Sequence, residues 1–178
     1  MALFAVASPA WAAERLYYVA ADEVPWDYAP LGRDHMMGRP FTPDEDVFVK
    51  TAPKSVGKTY IKARYREYTD ASFSQLKARP PKEQHLGVLG PLFRAEVGDT
   101  IKVVFRNNAS RAYSIHPHGV FYEKSSEGAI YNDGTDGADK ADDRVPPDGS
   151  HTYLWTVPER AGPGPDDHPA RHRSGPCR

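Results

Sequence analysis

The feature that most constrains the fold of this chain is the recurrent alternation of apolar and polar residues at every second position. In segment 60–68 (YIKARYREY), Ile61, Ala63 and Tyr65 fall on one side and basic residues on the other. This is the pattern of a strand with one buried face. Similar patterns predict strands at 15–20, 87–97, 100–107, 112–122 and 151–157. Since no segment of useful length has amphipathic helical spacing, we predict an all-β fold.

Two of these predicted strands are close neighbours in the sequence. Segment 87–97 is separated from segment 100–107 by Gly98 and Asp99, residues typical of tight turns. Ile101, Val103 and Phe105 share one face of the second segment. We therefore expect a hairpin whose second strand contributes to the core.

Length and composition restrict the architecture and the partners. A chain of 178 residues suits one domain with a real core. The formal net charge of −1 gives no overall attraction to nucleic acid or anionic lipid, so neither partner is expected. The only cysteine is Cys177, so the chain cannot form an intrachain disulfide or a cysteine-based zinc site. Any metal site must use histidine or carboxylate ligands.

The two ends of the chain differ from the region between them. Residues 1–13 (MALFAVASPAWAA) have the apolar character of a secretory signal, without its basic start. A first strand or a misplaced gene start explains them equally well, and they are too short to span a bilayer. The glycosylation sequon at Asn108 fits secretion, although such sequons recur by chance. We expect a domain over 14–158 and a disordered tail over 159–178, where apolar residues are scarce.

The residues most suggestive of chemistry are His116 and His118, within the sequence HPHG. On a strand, residues two apart face the same side, so both imidazoles could reach one metal or two adjacent metals. Neutral imidazole suits Cu, Zn, Fe and Ni. Pro117 cannot donate to a sheet, which predicts an edge or an irregular strand. Two ligands are too few for a tight site, and two unliganded surface histidines would give the same pattern.

A second candidate site lies in the acidic, glycine-rich segment 127–149, which we expect to form a long loop. Asp139, Asp142 and Asp143 supply three carboxylates within five residues, and such hard oxygen ligands suit Ca²⁺. The alternative is a solvated acidic loop in which Lys140 and Arg144 are the partners of the carboxylates.

Longer motifs throughout residues 14–164 resemble one protein family. The segments concerned are 17–21 (YYVAA), 26–30 (WDYAP), 65–70 (YREYTD), 85–91 (HLGVLGP), 95–99 (AEVGD), 116–120 (HPHGV), 126–128 (SEG) and 158–160 (PER). They are similar to the first plastocyanin-like A domain of the ceruloplasmin and hephaestin family of multicopper ferroxidases. Coagulation factors V and VIII contain related A domains. The resemblance implies a cupredoxin domain, a Greek-key β-sandwich or barrel, in an extracellular protein.

The resemblance also implies site residues, each at a matching motif position. His116 would bind the type 2 copper and His118 a type 3 copper of a trinuclear cluster. The backbone carbonyl of Lys124 would join the three aspartates in a calcium site. The complete parent enzyme would oxidise Fe²⁺ and reduce O₂ to water, using copper held by several cupredoxin domains. The remaining histidines of the predicted domain, His35, His85 and His151, match no family ligand and are interpreted as structural or surface residues.

The resemblance ends near residue 164. The family continues with a second His-x-His strand and a closing strand, whereas this chain continues with 168–178 (HPARHRSGPCR), whose His168 and His172 are interpreted as chance composition. The resemblance therefore implies a truncated domain with an incomplete barrel, inactive alone. The alternative function is a non-enzymatic, coagulation-factor-type A domain with a Ca²⁺-dependent role in assembly.

Overall fold

The computed structural model describes residues 12–161, and its main feature is a four-stranded sheet. The strands are β1 (Glu14–Asp27), β2 (Thr59–Tyr68), β3 (Thr100–Asn107) and β4 (Ser150–Thr156). Their order across the sheet is β2-β1-β3-β4. The central pair, β1 and β3, is parallel, and the two outer pairs are antiparallel. The all-β prediction is confirmed, and within residues 12–161 the sheet remains open.

The core lies on one face of this sheet, because buried and partly buried residues alternate regularly along β3. Ile101, Val103 and Phe105 of β3 are all buried, as the sequence pattern predicts. Tyr153 and Trp155 of the neighbouring β4 are buried beside them. Burying these large apolar side chains stabilises the sheet.

The predicted hairpin between segments 87–97 and 100–107 is wrong. β3 pairs instead with β1 in parallel, Val103 lying beside Tyr17, and with β4, Ile101 lying opposite Trp155. Residues 87–97 contain Gly90 and Pro91 and form no regular strand. Phe93 of this segment is buried in the core, and the partly buried Ala95 packs against it. The alternation there reflects side chains that reach the core from an irregular segment.

The predicted strand at 112–122 is also wrong in its detail. Only two isolated bridges occur there, between Tyr113 and Val145 and between Phe121 and Thr156. Pro117 has no amide hydrogen to donate to a sheet. Gly119 has a φ of 75°, which a regular strand does not contain. The two histidines therefore lie on irregular backbone held at both ends by a bridge.

A short helix, α1 (Pro43–Val49), was not expected from the sequence. Its start is defined by a capping box, in which Thr42 accepts from the Glu45 amide and the Glu45 carboxylate accepts from the Thr42 amide. No residue of the helix is buried. Shorter 3-10 helices occupy Pro81–Leu86, Lys124–Ser126, Gly137–Lys140 and Glu159–Ala161.

Some predictions concern residues outside the described range. The signal-like interpretation of 1–13 rests almost entirely on such residues, and so does the disordered tail, together with His168, His172 and Cys177. The described start of the predicted tail, Glu159–Ala161, forms a single 3-10 turn. Between residues 12 and 161, no helix is long and apolar enough to cross a membrane.

Candidate metal centre

The two histidines of the HPHG sequence lie side by side. The ring centroids of His116 and His118 are 4.9 Å apart, and the ring planes are nearly perpendicular, at 85°. His116 is partly buried, whereas His118 is exposed. The irregular backbone therefore achieves the juxtaposition that a strand was predicted to provide.

A hydrogen bond fixes the orientation and the tautomer of His116. Its Nδ1 lies 2.7 Å from the backbone carbonyl oxygen of Glu127. Because a carbonyl oxygen can only accept, Nδ1 carries the proton. In the neutral ring Nε2 then keeps its lone pair, which is the arrangement found in metal-binding histidines.

The turn that presents the Glu127 carbonyl is packed tightly against the histidine segment. A Cβ atom on Gly128 would lie 2.1 Å from the carbonyl oxygen of Ile115, so only glycine fits there. The Ser114 hydroxyl donates to the Gly128 carbonyl at 2.7 Å. The Gly128 amide in turn donates to the Asp142 carboxylate at 2.6 Å. This explains why the sequence Ser126-Glu127-Gly128 accompanies the histidine pair.

Side chains of β4 donate hydrogen bonds to the backbone of the same region. The Tyr153 hydroxyl donates to the Asp142 backbone carbonyl at 2.8 Å, and the Trp155 indole donates to the Ser126 carbonyl at 2.9 Å. His151 donates through Nε2 to the Ser125 carbonyl at 2.9 Å. The structure thus gives His151 a positioning contact, in keeping with its structural interpretation.

Beside the histidine pair lies a compact cluster of opposite charges. The Lys124 ammonium lies 2.9 Å from carboxylate oxygens of both Glu127 and Asp133, and 3.6 Å from Asp143. The Lys140 ammonium lies 2.7 Å from Asp133 and 3.2 Å from Asp143. These contacts link the two ends of the acidic loop around two lysines.

The pKa values of the cluster shift as this pairing requires. The hydrogen bond from Lys140, followed by those from Thr135 and Lys124, holds the pKa of Asp133 far below its usual range. Burial opposes the charged form of Lys124, yet its hydrogen bonds to Glu127 and Asp133 raise its pKa above the usual value. Asp133 and Lys124 are therefore both charged at neutral pH.

The predicted calcium ligands occupy different environments. Asp139 is exposed, whereas Asp142 and Asp143 are buried. One oxygen of Asp142 is buried without a hydrogen-bond donor, whereas the buried oxygens of Asp143 face the ammonium groups of Lys124 and Lys140, at 3.6 and 3.2 Å. The Lys124 carbonyl accepts from the Glu127 amide at 3.2 Å. Within the described residues, no three His, Cys, Asp or Glu side chains are grouped so as to hold a metal ion.

The remaining sequence candidates lie elsewhere. His35 and His85 are exposed and distant in sequence from the histidine pair. Asn108, the sequon residue, is exposed, and its amide donates to Asp22 at 2.8 Å. Sequence reasoning missed Asp133, although Asp133-Gly134 is a turn signal that could have brought it into the acidic loop. It also missed the side chain of Lys124, which no local pattern marks.

Comparison with known proteins identifies the family. The profile of the multicopper oxidase family matches residues 82–163. The chain is 48% identical to the mouse protein named Ferroxidase HEPHL1 over 158 residues, 88% of this chain and 13% of that protein. The chain belongs to the multicopper oxidase family. It is also 47% identical to sheep ceruloplasmin over 153 residues, covering 84% of this chain and 14% of that protein.

A third relative belongs to the coagulation branch. Coagulation factor V of the snake Pseudonaja textilis is 46% identical over 150 residues, 84% of this chain and 9% of that protein. The chain thus spans only about an eighth of the length of the ferroxidase relatives it matches. The predicted resemblance is confirmed, and membership of the multicopper oxidase family implies copper as the metal.

Proposed function

We propose that this chain is the copper-contributing, plastocyanin-like domain of a multicopper ferroxidase. His116 would bind a type 2 copper and His118 a type 3 copper in a trinuclear cluster completed by other cupredoxin domains. The observation that carries the proposal is the commitment of His116 Nδ1 to the Glu127 carbonyl, with the His118 ring 4.9 Å away. That arrangement leaves the His116 Nε2 lone pair available to a metal.

The two imidazoles are suitable copper ligands, but two ligands are too few to complete a copper site. Imidazole nitrogen is a good copper ligand, and the carbonyl behind His116 restricts rotation of the ring. Copper bound there would supply one-electron redox chemistry, with Fe²⁺ as reductant and O₂ as acceptor in the complete parent. The role of this chain would be to orient two imidazoles on a backbone that Gly128 and β4 hold in place.

The acidic loop is proposed as a calcium site in the same protein. The buried carboxylate oxygens of Asp142 and Asp143 have the hard character that Ca²⁺ requires, and one oxygen of Asp142 lacks a hydrogen-bond donor. Asp139 and the Lys124 carbonyl complete the proposed ligand set. Binding would have to displace the ammonium group of Lys140, which lies 3.2 Å from Asp143. An extracellular location is proposed with it, since millimolar calcium suits weak extracellular sites.

The second candidate function is a non-enzymatic A domain with a structural role in assembly. The observation that favours it is the 46% identity to coagulation factor V, nearly as high as the identity to the ferroxidases. Retention of both histidines favours the oxidase instead. The longer transcript would separate the two functions, because only an oxidase would encode further His-x-His pairs and a type 1 copper cysteine.

Titration with Cu²⁺, followed by absorption and EPR spectroscopy, tests the copper proposal. Because only two imidazoles are supplied, we expect weak binding without an intense blue band. His116→Ala and His118→Ala should each abolish the histidine-dependent EPR signal, while the control His85→Ala should retain it. A strong type 1 signal, or equal loss in all three variants, would contradict the proposed site.

A further inference from the structure

A cavity of about 250 Å³ lies between β2 and segments 76–83 and 91–94. The cavity is lined by five cationic side chains and by two carboxylates, Glu67 and Glu83. The cations are Arg64, Arg66, Lys77, Arg79 and Arg94. Its lining thus carries a surplus of three positive charges, in a chain whose overall net charge is −1.

Three of the five cations have a carboxylate partner. Lys77 pairs with Glu67 at 2.7 Å, and Arg94 pairs with Glu83 at 2.7 Å. Arg66 lies 3.5 Å from Asp22, which is not among the residues that line the cavity. These pairs neutralise both carboxylates of the lining, so the surplus charge belongs to the remaining arginines.

The other two cations have no carboxylate partner among the described residues. Arg79 donates to backbone carbonyls, including those of Gly87 at 2.9 Å and Gly90 at 3.2 Å, which leaves its full charge uncompensated. Arg64 lies over the Trp26 ring at 5.4 Å, and its Nε is buried without a hydrogen-bond partner. An unpaired, partly buried guanidinium is costly unless something else satisfies it.

The neighbouring cations also affect the pKa of Arg64. Burial lowers the pKa of Arg64, and the positive charges of Arg79 and then Arg66 lower it further. These repulsions would be relieved by an anion placed in the cavity. A guanidinium presents a planar fork of donors that matches carboxylate and phosphate oxygens.

From this geometry we infer that the cavity is a binding site for a small oxyanion, a phosphate or a short polycarboxylate, with Arg64 as its principal ligand. The volume supports a small ligand, since it falls just below the range of roughly 300–1,000 Å³ typical of larger organic ligands. The site does not depend on copper. It lies on residues that no metal proposal uses.

Calorimetric titration of the chain with inorganic phosphate and with citrate, at constant ionic strength against chloride, tests this inference. We expect saturable binding at one site and a higher thermal midpoint in the presence of the anion. Arg64→Gln should weaken binding roughly tenfold or more, because a charge-assisted hydrogen bond is lost. Arg64→Lys, which keeps the charge but not the fork, should lose less.

Two controls keep the outcome decisive. Arg111→Gln removes the same charge from an exposed position outside the cavity and should leave the affinity unchanged. Circular dichroism establishes that each variant is folded. Absence of binding to the folded chain, or equal weakening by Arg64→Gln and Arg111→Gln, would overturn the assignment. Binding of a tetraglutamate peptide without binding of phosphate or citrate would also overturn it, in favour of an acidic polypeptide segment.

Discussion

At the scale of single residues, Asp99 shows how one buried carboxylate organises the start of β3. It accepts from the backbone amides of Glu96 and Ala13, each at 2.9 Å, and from the Arg15 guanidinium at 2.6 Å. The Glu96 amide contributes most, followed by Arg15, and together these donors lower the pKa of Asp99 to about 2. The predicted turn is therefore present, closed by the Asp99 amide donating to the Glu96 carbonyl at 3.0 Å. It leads from an irregular segment into β3, and Asp99 holds it against the start of β1.

Asp99→Asn should destabilise the fold at neutral pH and do so less in acid. The folded pKa is lower than the unfolded value of about 3.9, so the stabilisation is fully present above about pH 5. It is lost as the pH falls through the folded pKa. We expect the thermal midpoint at pH 7 to drop by roughly 5 °C or more, and the difference from wild type to shrink between pH 5 and pH 2.

Glu96→Gln is the matched control, because the Glu96 side chain is 77% exposed and its contact with Arg15 is long, at 4.0 Å. It should leave the thermal midpoint nearly unchanged. A pH-independent difference between Asp99→Asn and wild type would show that the carboxylate charge is not what stabilises this turn.

Calcium binding should depend on the buried carboxylates more than on the exposed one. Asp142→Asn keeps an oxygen that can accept from the Gly128 amide but removes the charge, so we expect calorimetry to show a weaker Ca²⁺ affinity by at least about tenfold. Lys140→Gln should strengthen binding, because it removes the ammonium group that competes with Ca²⁺ for Asp143.

The exposed Asp148 provides the control for calcium, since Asp148→Asn removes a nearby charge in a left-handed turn that Asn tolerates. The Ca²⁺ affinity of the Asp148→Asn variant should equal that of wild type. If Asp142→Asn and Lys140→Gln leave the affinity unchanged as well, the loop is a solvated acidic segment held by its own lysines.

At the scale of elements, α1 is a helix stabilised locally rather than by the core. Thr42→Ala removes half of its capping box and should cost about 1 kcal/mol of local stability. Because no residue of α1 is buried, the global thermal midpoint should barely change. Hydrogen exchange should become faster at the amides of residues 45–50, whereas Thr152→Ala, an exposed change in β4, should not affect them. A large drop in the midpoint would mean that α1 is coupled to the core.

The elements that the sequence predicts well are those with one buried face. β4 follows its alternation, because Tyr153 and Trp155 are buried while their neighbours are not, and in β2 Tyr65 is the one buried residue. The alternation fails at Ile61, which is 60% exposed near the open end of β2. It also fails in segment 87–97, where single side chains such as Phe93 reach the core without a strand. An alternating pattern therefore indicates which side chains can be buried. It predicts a paired strand only where the backbone can form the hydrogen bonds of a sheet.

In the candidate site, too, some features could be predicted from the local sequence and others could not. The residues His116 and His118 could be predicted from their spacing, and their juxtaposition does not require the regular strand that was expected. The contact that makes His116 a ligand candidate comes from Glu127, eleven positions away. It depends on the close approach of Gly128 to Ile115, a long-range fit that the local sequence pattern does not encode.

At the scale of the whole molecule, the charges are segregated although their sum is close to zero. Carboxylates concentrate around Lys124 and Lys140 beside the histidine pair, whereas unpaired arginines line the cavity along β2. The net charge of −1 argues only against a field over the whole surface. It leaves room for one region that would attract cations and another that would attract a small anion.

The chain alone, loaded with copper, should not accelerate the oxidation of Fe²⁺ by O₂. Reduction of O₂ to water requires four electrons, and the described residues offer two adjacent imidazoles as copper ligands, with no group of three His, Cys, Asp or Glu suited to a metal. Oxygen consumption and Fe³⁺ formation should match those of the same concentration of free Cu²⁺, and His116→Ala should leave the rate unchanged. Saturable turnover that is lost in His116→Ala would show that the histidine pair suffices for catalysis and that the proposed need for further cupredoxin domains is wrong.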